Sequence, residues 1–94
     1  MLLSIKKPRQ ALIDLDSACQ LEPDDSFYLT GRADVFYELN KLDKALNDCN
    51  NALETNDRYF SALSTRRRVY SALGETEKAR ADAELIEELL EEDE

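Results

Sequence analysis

The sequence predicts an all-α protein, a single domain over residues 1–94 built as a stack of antiparallel helix pairs with about five helices. Three observations predict it. The chain has 94 residues, 43% apolar and 35% charged, with two Gly, two Pro and no Trp, a mix that suits ordered helices and excludes collagen-like or low-complexity chains. Apolar residues recur at steps of three and four along successive stretches. Finally, the chain resembles itself when shifted by 34 residues.

The shift pairs Leu29 with Leu63, Arg32 with Arg66, Val35 with Val69, Leu39 with Leu73, Lys44 with Lys78, Ala45 with Ala79, Asp48 with Asp82 and Glu54 with Glu88. These are eight identities over the 32 pairs that start at Ser26, where composition alone gives about two. Phe36/Tyr70, Asn40/Gly74 and Thr30/Ser64 are conservative matches. The register also runs backwards through Ala11/Ala45/Ala79 and Asp14/Asp48/Asp82.

Each element has its own signals. Pro8 suits a first helical turn, where a missing N–H costs nothing. Ala11, Leu12, Leu15, Ala18, Cys19 and Leu21 then form a stripe that Pro23 ends. Its partner helix is expected before Pro8, with Leu2, Leu3 and Ile5 as a stub. Asp24-Asp25-Ser26 caps a helix running to Leu39. Asn40 closes it, because Asn tolerates the left-handed conformation. A further helix spans Leu42 to Leu53, and Thr55-Asn56-Asp57 breaks it. Phe60 to Leu73 repeats the first helix of the unit, with Gly74 as its stop. Thr76 is the expected N-cap of the last helix, which carries Ala79, Ala83, Ile86 and Leu90. That helix is expected to fray, because carboxylates oppose the dipole at a C-terminus. The organisation is therefore a half repeat at 8–22, complete repeats at 26–57 and 60–91, and an acidic tail at 91–94.

These residues resemble the tetratricopeptide-repeat family. Leu29, Ala33, Phe36, Asn40, Leu42, Ala45, Cys49 and Ala52 fall on its signature positions in the first unit. Leu63, Tyr70, Gly74, Ala79, Ala83 and Ile86 do so in the second, and Ala11, Leu15, Ala18 and Pro23 in the half unit. The resemblance implies a right-handed superhelical α-solenoid that binds peptides or partner segments on its concave face. Carried over, that face holds Phe27, Thr30, Asp34 and Tyr37 from one helix and Ser61, Ser64, Arg68 and Ser71 from the next. Asp48-Cys49, Ala52-Leu53, Tyr59 and Arg66-Arg67 resemble the co-chaperone branch, which grips a C-terminal carboxylate with Lys, Asn and Arg. The matching positions here are Gly31, Ser61 and Thr65, so the grip is absent. Arg67 departs from a small residue, Arg32 and Arg66 from aliphatic ones, and Asp57 from a turn Pro. The arginine stems are expected along apolar surface with their heads in solvent.

Composition bounds the chemistry. The net charge is −9, and Asp82 to Glu94 holds eight acidic and no basic residues. Nucleic acid is an unfavoured partner. Consecutive helical residues point about 100° apart, so Arg66-Arg67-Arg68 form no single patch and only Arg68 faces the groove. The acidic tail reads as a polar end to the stack. No His, metal-ligand spacing, Gly-rich phosphate loop or nucleophile–base pair points to an enzyme, metal or cofactor. No apolar run approaches a membrane span. Cys19 and Cys49 read as small buried side chains in a reduced, cytoplasmic setting. The expected function is an adaptor for a protein or peptide partner. The alternative is self-association, for instance as a homodimer, through the uncovered face of Ala11, Leu12 and Leu15, or a segment of a longer repeat array.

Overall fold

The computed structural model describes residues 7–92. The stub residues Leu2, Leu3 and Ile5, and the tail residues Asp93 and Glu94, lie outside the described residues. Five helices follow one another: α1 (Pro8–Leu21), α2 (Ser26–Glu38), α3 (Leu42–Thr55), α4 (Phe60–Ala72) and α5 (Thr76–Glu92). Each packs on the next, and α2 also touches α4. Successive antiparallel pairs thus place α2 and α4 side by side, with α3 behind them.

The helix ends obey local chemistry. The Asp25 carboxylate accepts from the Phe27 and Tyr28 amides at 2.9 and 3.2 Å, so α2 is capped as its sequence requires. Asn40 and Gly74 have φ of +62° and +79°. After each, the chain donates back across the helix end, Lys41 N–H to the Phe36 carbonyl and Glu75 N–H to the Tyr70 carbonyl, both at 2.8 Å. These are the wide hydrogen bonds of a Schellman closure, repeated one period apart. Thr76 is the first residue of α5 rather than its cap. The last helix stays helical to Glu92, which pairs with Arg58, so the expected fraying is not seen within the described residues.

Small residues set the helix spacing. Ala33, Ala45, Ala52 and Ala62 are all 0% exposed, which lets backbones approach closely. One cluster joins Cys19, Leu29, Ala52, Leu53, Ala62 and Leu63, and a second joins Ala33, Phe36, Ala45, Cys49 and Val69. Both cysteines are free and buried. Burial pushes the Cys49 thiol up to about 12 and raises that of Cys19.

The arginines correct one expectation. Arg32 grips Asp48 with two parallel bonds, Nε to Oδ2 at 2.8 Å and Nη2 to Oδ1 at 2.9 Å, and reaches Asp16 at 3.0 Å. One period later, Arg66 grips Asp82 at 2.9 and 2.7 Å and reaches Asn50 at 2.9 Å. The heads are therefore clamped between helices rather than left in solvent. Burying Asp48 and Asp82, 1% and 2% exposed, would be costly without such bidentate partners. The Asp48 bond, with help from Asp16, holds Arg32 more firmly protonated than usual. Each guanidinium also lies over an aromatic ring, Arg32 over Phe36 and Arg66 over Tyr70, with Lys44 and Lys78 on the same rings.

Candidate functional site

On α2, Phe27, Thr30, Asp34 and Tyr37 are spaced by three and four, which brings them to one face. The same spacing aligns Ser61, Ser64, Arg68 and Ser71 on α4. The two faces meet across a groove. The Thr65 hydroxyl donates to Asp34 Oδ1 at 2.6 Å and ties the helices together. Arg68 approaches the same oxygen at 3.5 Å and lies over the Tyr37 ring, 5.3 Å from its centre.

At the other end of the groove is a hollow of about 220 Å³, lined by Leu15, Phe27, Thr30, Gly31, Asp34, Tyr59 and Ser61. It brings together four residues expected on the concave face: Phe27, Thr30, Asp34 and Ser61. Tyr37 and Arg68 form the cluster beyond it. Ser64, half-buried, and Ser71, exposed, stand on α4 away from the hollow's lining.

The walls of the hollow differ in character. Phe27 is 69% exposed and meets Tyr28 edge to face at 5.7 Å, so its ring stands at the rim. Thr30 is only 5% exposed, and its hydroxyl has no hydrogen-bond partner. Buried hydroxyls are usually satisfied, so this one is an exception. Gly31 lets α1 come close, since a Cβ there would sit 3.3 Å from Leu15 Cδ2. Thr65 is 2% exposed and its hydroxyl is already spent on Asp34. The three positions that would hold a carboxylate grip thus present a bare backbone, the exposed Ser61 hydroxyl and a buried threonine, with the Asp34 carboxylate beside them.

Leu15 and Tyr59 were not legible as groove residues. Leu15 reads from sequence as part of a self-association face, and reaches the groove only because α1 crosses Gly31. Tyr59 precedes α4 as its N-cap residue, and only the approach of that turn to α2 places it at the rim. Ala11, Leu12 and Leu15 are half-buried, with Leu12 packed against the cluster around Ala33 and Phe36. Arg67 is exposed and Arg66 points to Asp82, so the three consecutive arginines diverge. Among the described residues, no cluster of three or more His, Cys, Asp or Glu could hold a metal ion, and no helix is long and apolar enough to cross a membrane.

No family model matches the chain. It is similar to solved structures of the first TPR domain of the human RPAP3 protein, with a TM-score of 0.84 and 31% identity over 88% of this chain. By fold, the chain is a tetratricopeptide-repeat domain. It is equally similar to the first TPR of Spaghetti (RPAP3) bound to HSP90 peptide SRMEEVD, with a TM-score of 0.84 and 30% identity over 87% of this chain. The tetratricopeptide-repeat domain spans 65% of each of those two chains. A curated relative, a STIP1 homolog of Dictyostelium discoideum, is 32% identical over 69 residues, which is 73% of this chain and 12% of the relative.

Proposed function

We propose that the chain is a non-catalytic interaction module that binds a peptide or partner segment in the groove between α2 and α4. The observation that carries this reading is the hollow there, with apolar walls beside the Asp34 and Ser61 side chains. Concave sites with apolar walls and a few convergent polar groups are where ligands bind. The peptide carried by the related RPAP3 structure supports a peptide as the ligand class. A reduced, cytoplasmic setting goes with this reading, because both thiols are buried and unlinked.

The test is selection of binders from a display library of random peptides. Ser61 is exposed at the mouth of the hollow, so Ser61→Trp blocks it without disturbing the core. Selected peptides should lose affinity at least about tenfold on the blocked variant, a difference of about 1.4 kcal/mol. Peptides that bind both forms equally would place the interaction elsewhere.

The second reading is self-association through α1. It is favoured by the exposure of Ile13 and Leu21, 66% and 81%, beside the half-covered Ala11, Leu12 and Leu15. Light scattering across a concentration series separates the two, since a mass that doubles with concentration supports self-association.

A further inference from the structure

We infer that the hollow between α2 and α4 receives the lysine or arginine side chain of a basic peptide segment, and not a peptide's terminal carboxylate. The inference rests on the groove being the binding site, and adds what the groove selects. Three observations point to a cation.

The polar atoms presented to the hollow are acceptors or can act as acceptors. They are the Asp34 carboxylate and the Ser61 hydroxyl; Thr30 also lines the hollow, but its hydroxyl oxygen is buried out of reach of a ligand. Both bonds that Asp34 receives fall on Oδ1, from Thr65 and from Arg68. The Arg68 contact is long, and both its side chains are half exposed, 49% and 46%. Such a pair is worth little and yields readily to a better donor. An ammonium has three donors and no acceptor, so it matches a carboxylate beside an exposed hydroxyl.

The shape fits the same ligand. A volume of about 220 Å³ lies below the range for a drug-sized ligand and suits one long side chain. Leu15, Phe27 and Tyr59 supply apolar wall for the methylene stem, while the charged head lies at Asp34. The chain's charge of −9 adds a long-range field that draws basic segments and repels acidic ones. A carboxylate in the hollow would meet Asp34 with no cation at Gly31, Ser61 or Thr65 to hold it.

The experiment follows backbone amide shifts of the isotope-labelled full chain. The probes are three capped pentapeptides, acetyl-Ala-Leu-Xaa-Leu-Ala-amide with lysine, glutamine or glutamate at the centre, and the free-acid peptide SRMEEVD. The lysine peptide should move the amides of Thr30, Gly31, Asp34 and Ser61. Its affinity should exceed that of the glutamine and glutamate peptides and fall with added salt. Asp34→Asn keeps an oxygen for Thr65, and should weaken the lysine peptide about fivefold, the upper end for a partly exposed charge pair, while leaving the glutamine peptide unchanged. Ser61→Ala removes the exposed hydroxyl at the mouth of the hollow and should weaken the lysine peptide about twofold at unchanged melting temperature. It carries the test alone if Asp34→Asn does not fold.

Glutamine or glutamate binding as tightly as lysine, SRMEEVD binding in the hollow, or binding indifferent to both variants would overturn the cation and leave the groove standing. If none of the four peptides moves the groove amides, the cation and the groove reading fall together.

Discussion

The α2–α3 pair and the α4–α5 pair carry the same pattern, yet equivalent positions meet different surroundings. Ala33 is 0% exposed, whereas Arg67, one period on, is exposed. Phe36 is 8% exposed and Tyr70 is half-buried. Cys49 is sealed at 0%, while Ala83 is half-buried. Among the described residues the first pair is covered by α1 on one side and α4 on the other, and the second pair only by the first. Burial in a stack is thus set by neighbours as well as by the repeat itself, and an arginine is tolerated where no helix closes over it. What does not change between the pairs is the Arg–Asp clamp, because each is completed within its own pair.

The clamp gives the largest effect. Arg32→Met should cost about 3 kcal/mol, because it strands the Asp48 carboxylate in the core, and Arg66→Met should cost a comparable amount through Asp82. Urea denaturation would measure both. The double variant Arg32→Met with Asp48→Leu should recover most of the loss, since no buried charge is left unpaired. A double variant as unstable as the single one would show that the clamp is not the reason.

Cys49→Ala converts the first pair to the residue of the second, and should cost about 1 kcal/mol at neutral pH for the lost sulfur. It should also change the alkaline profile. Burial holds the native thiol neutral up to about 12, against an ordinary value of 9.0. The neutral form is the one the fold favours, so its contribution is complete below about pH 9 and is lost as pH rises toward 12. The urea midpoint of the parent chain should therefore fall between pH 9 and 10.5 more steeply than that of Cys49→Ala. Parallel profiles would remove Cys49 as the cause.

The turn comparison is of similar or smaller size. At Gly74 nothing lies within 4 Å of an added Cβ, so Gly74→Ala should cost about 1 kcal/mol from its positive φ alone. Asn40→Gly, at the equivalent turn, should stabilise by a few tenths of a kcal/mol. Thermal melts of the two variants moving in the same direction would contradict the shared closure. Smallest of all is Asn50→Asp, which gives Arg66 the second carboxylate that Arg32 has in Asp16. Its exposed position limits the gain to under about 0.5 kcal/mol, and that gain should vanish in high salt.

The sequence carried most of the fold because local and repeated signals agree. Asp25, Asn40 and Gly74 mark helix ends by backbone chemistry that acts within a few residues. The 34-residue self-match reveals the stacking unit. The groove was legible in part, since helical spacing alone puts Phe27, Thr30 and Asp34 on one face. Periodicity could not show that the Thr30 hydroxyl is buried and unsatisfied, because that depends on what α1 and α4 do around it. The matched pairs Arg32/Arg66 and Asp48/Asp82 were visible as identities. Their union was not, because it joins residues of different helices that are 16 positions apart.

By itself the sequence determined the helices, their ends and the period of the stack, since these follow from capping, left-handed turns and apolar spacing within one unit. The tertiary structure alone decided which polar groups are spent and which are left over. Arg32 and Arg66 are consumed by buried carboxylates and Thr65 by Asp34, whereas the Thr30 hydroxyl is buried without a partner. Hydrogen bonding and desolvation depend on distances between helices, and only the assembled stack fixes those distances.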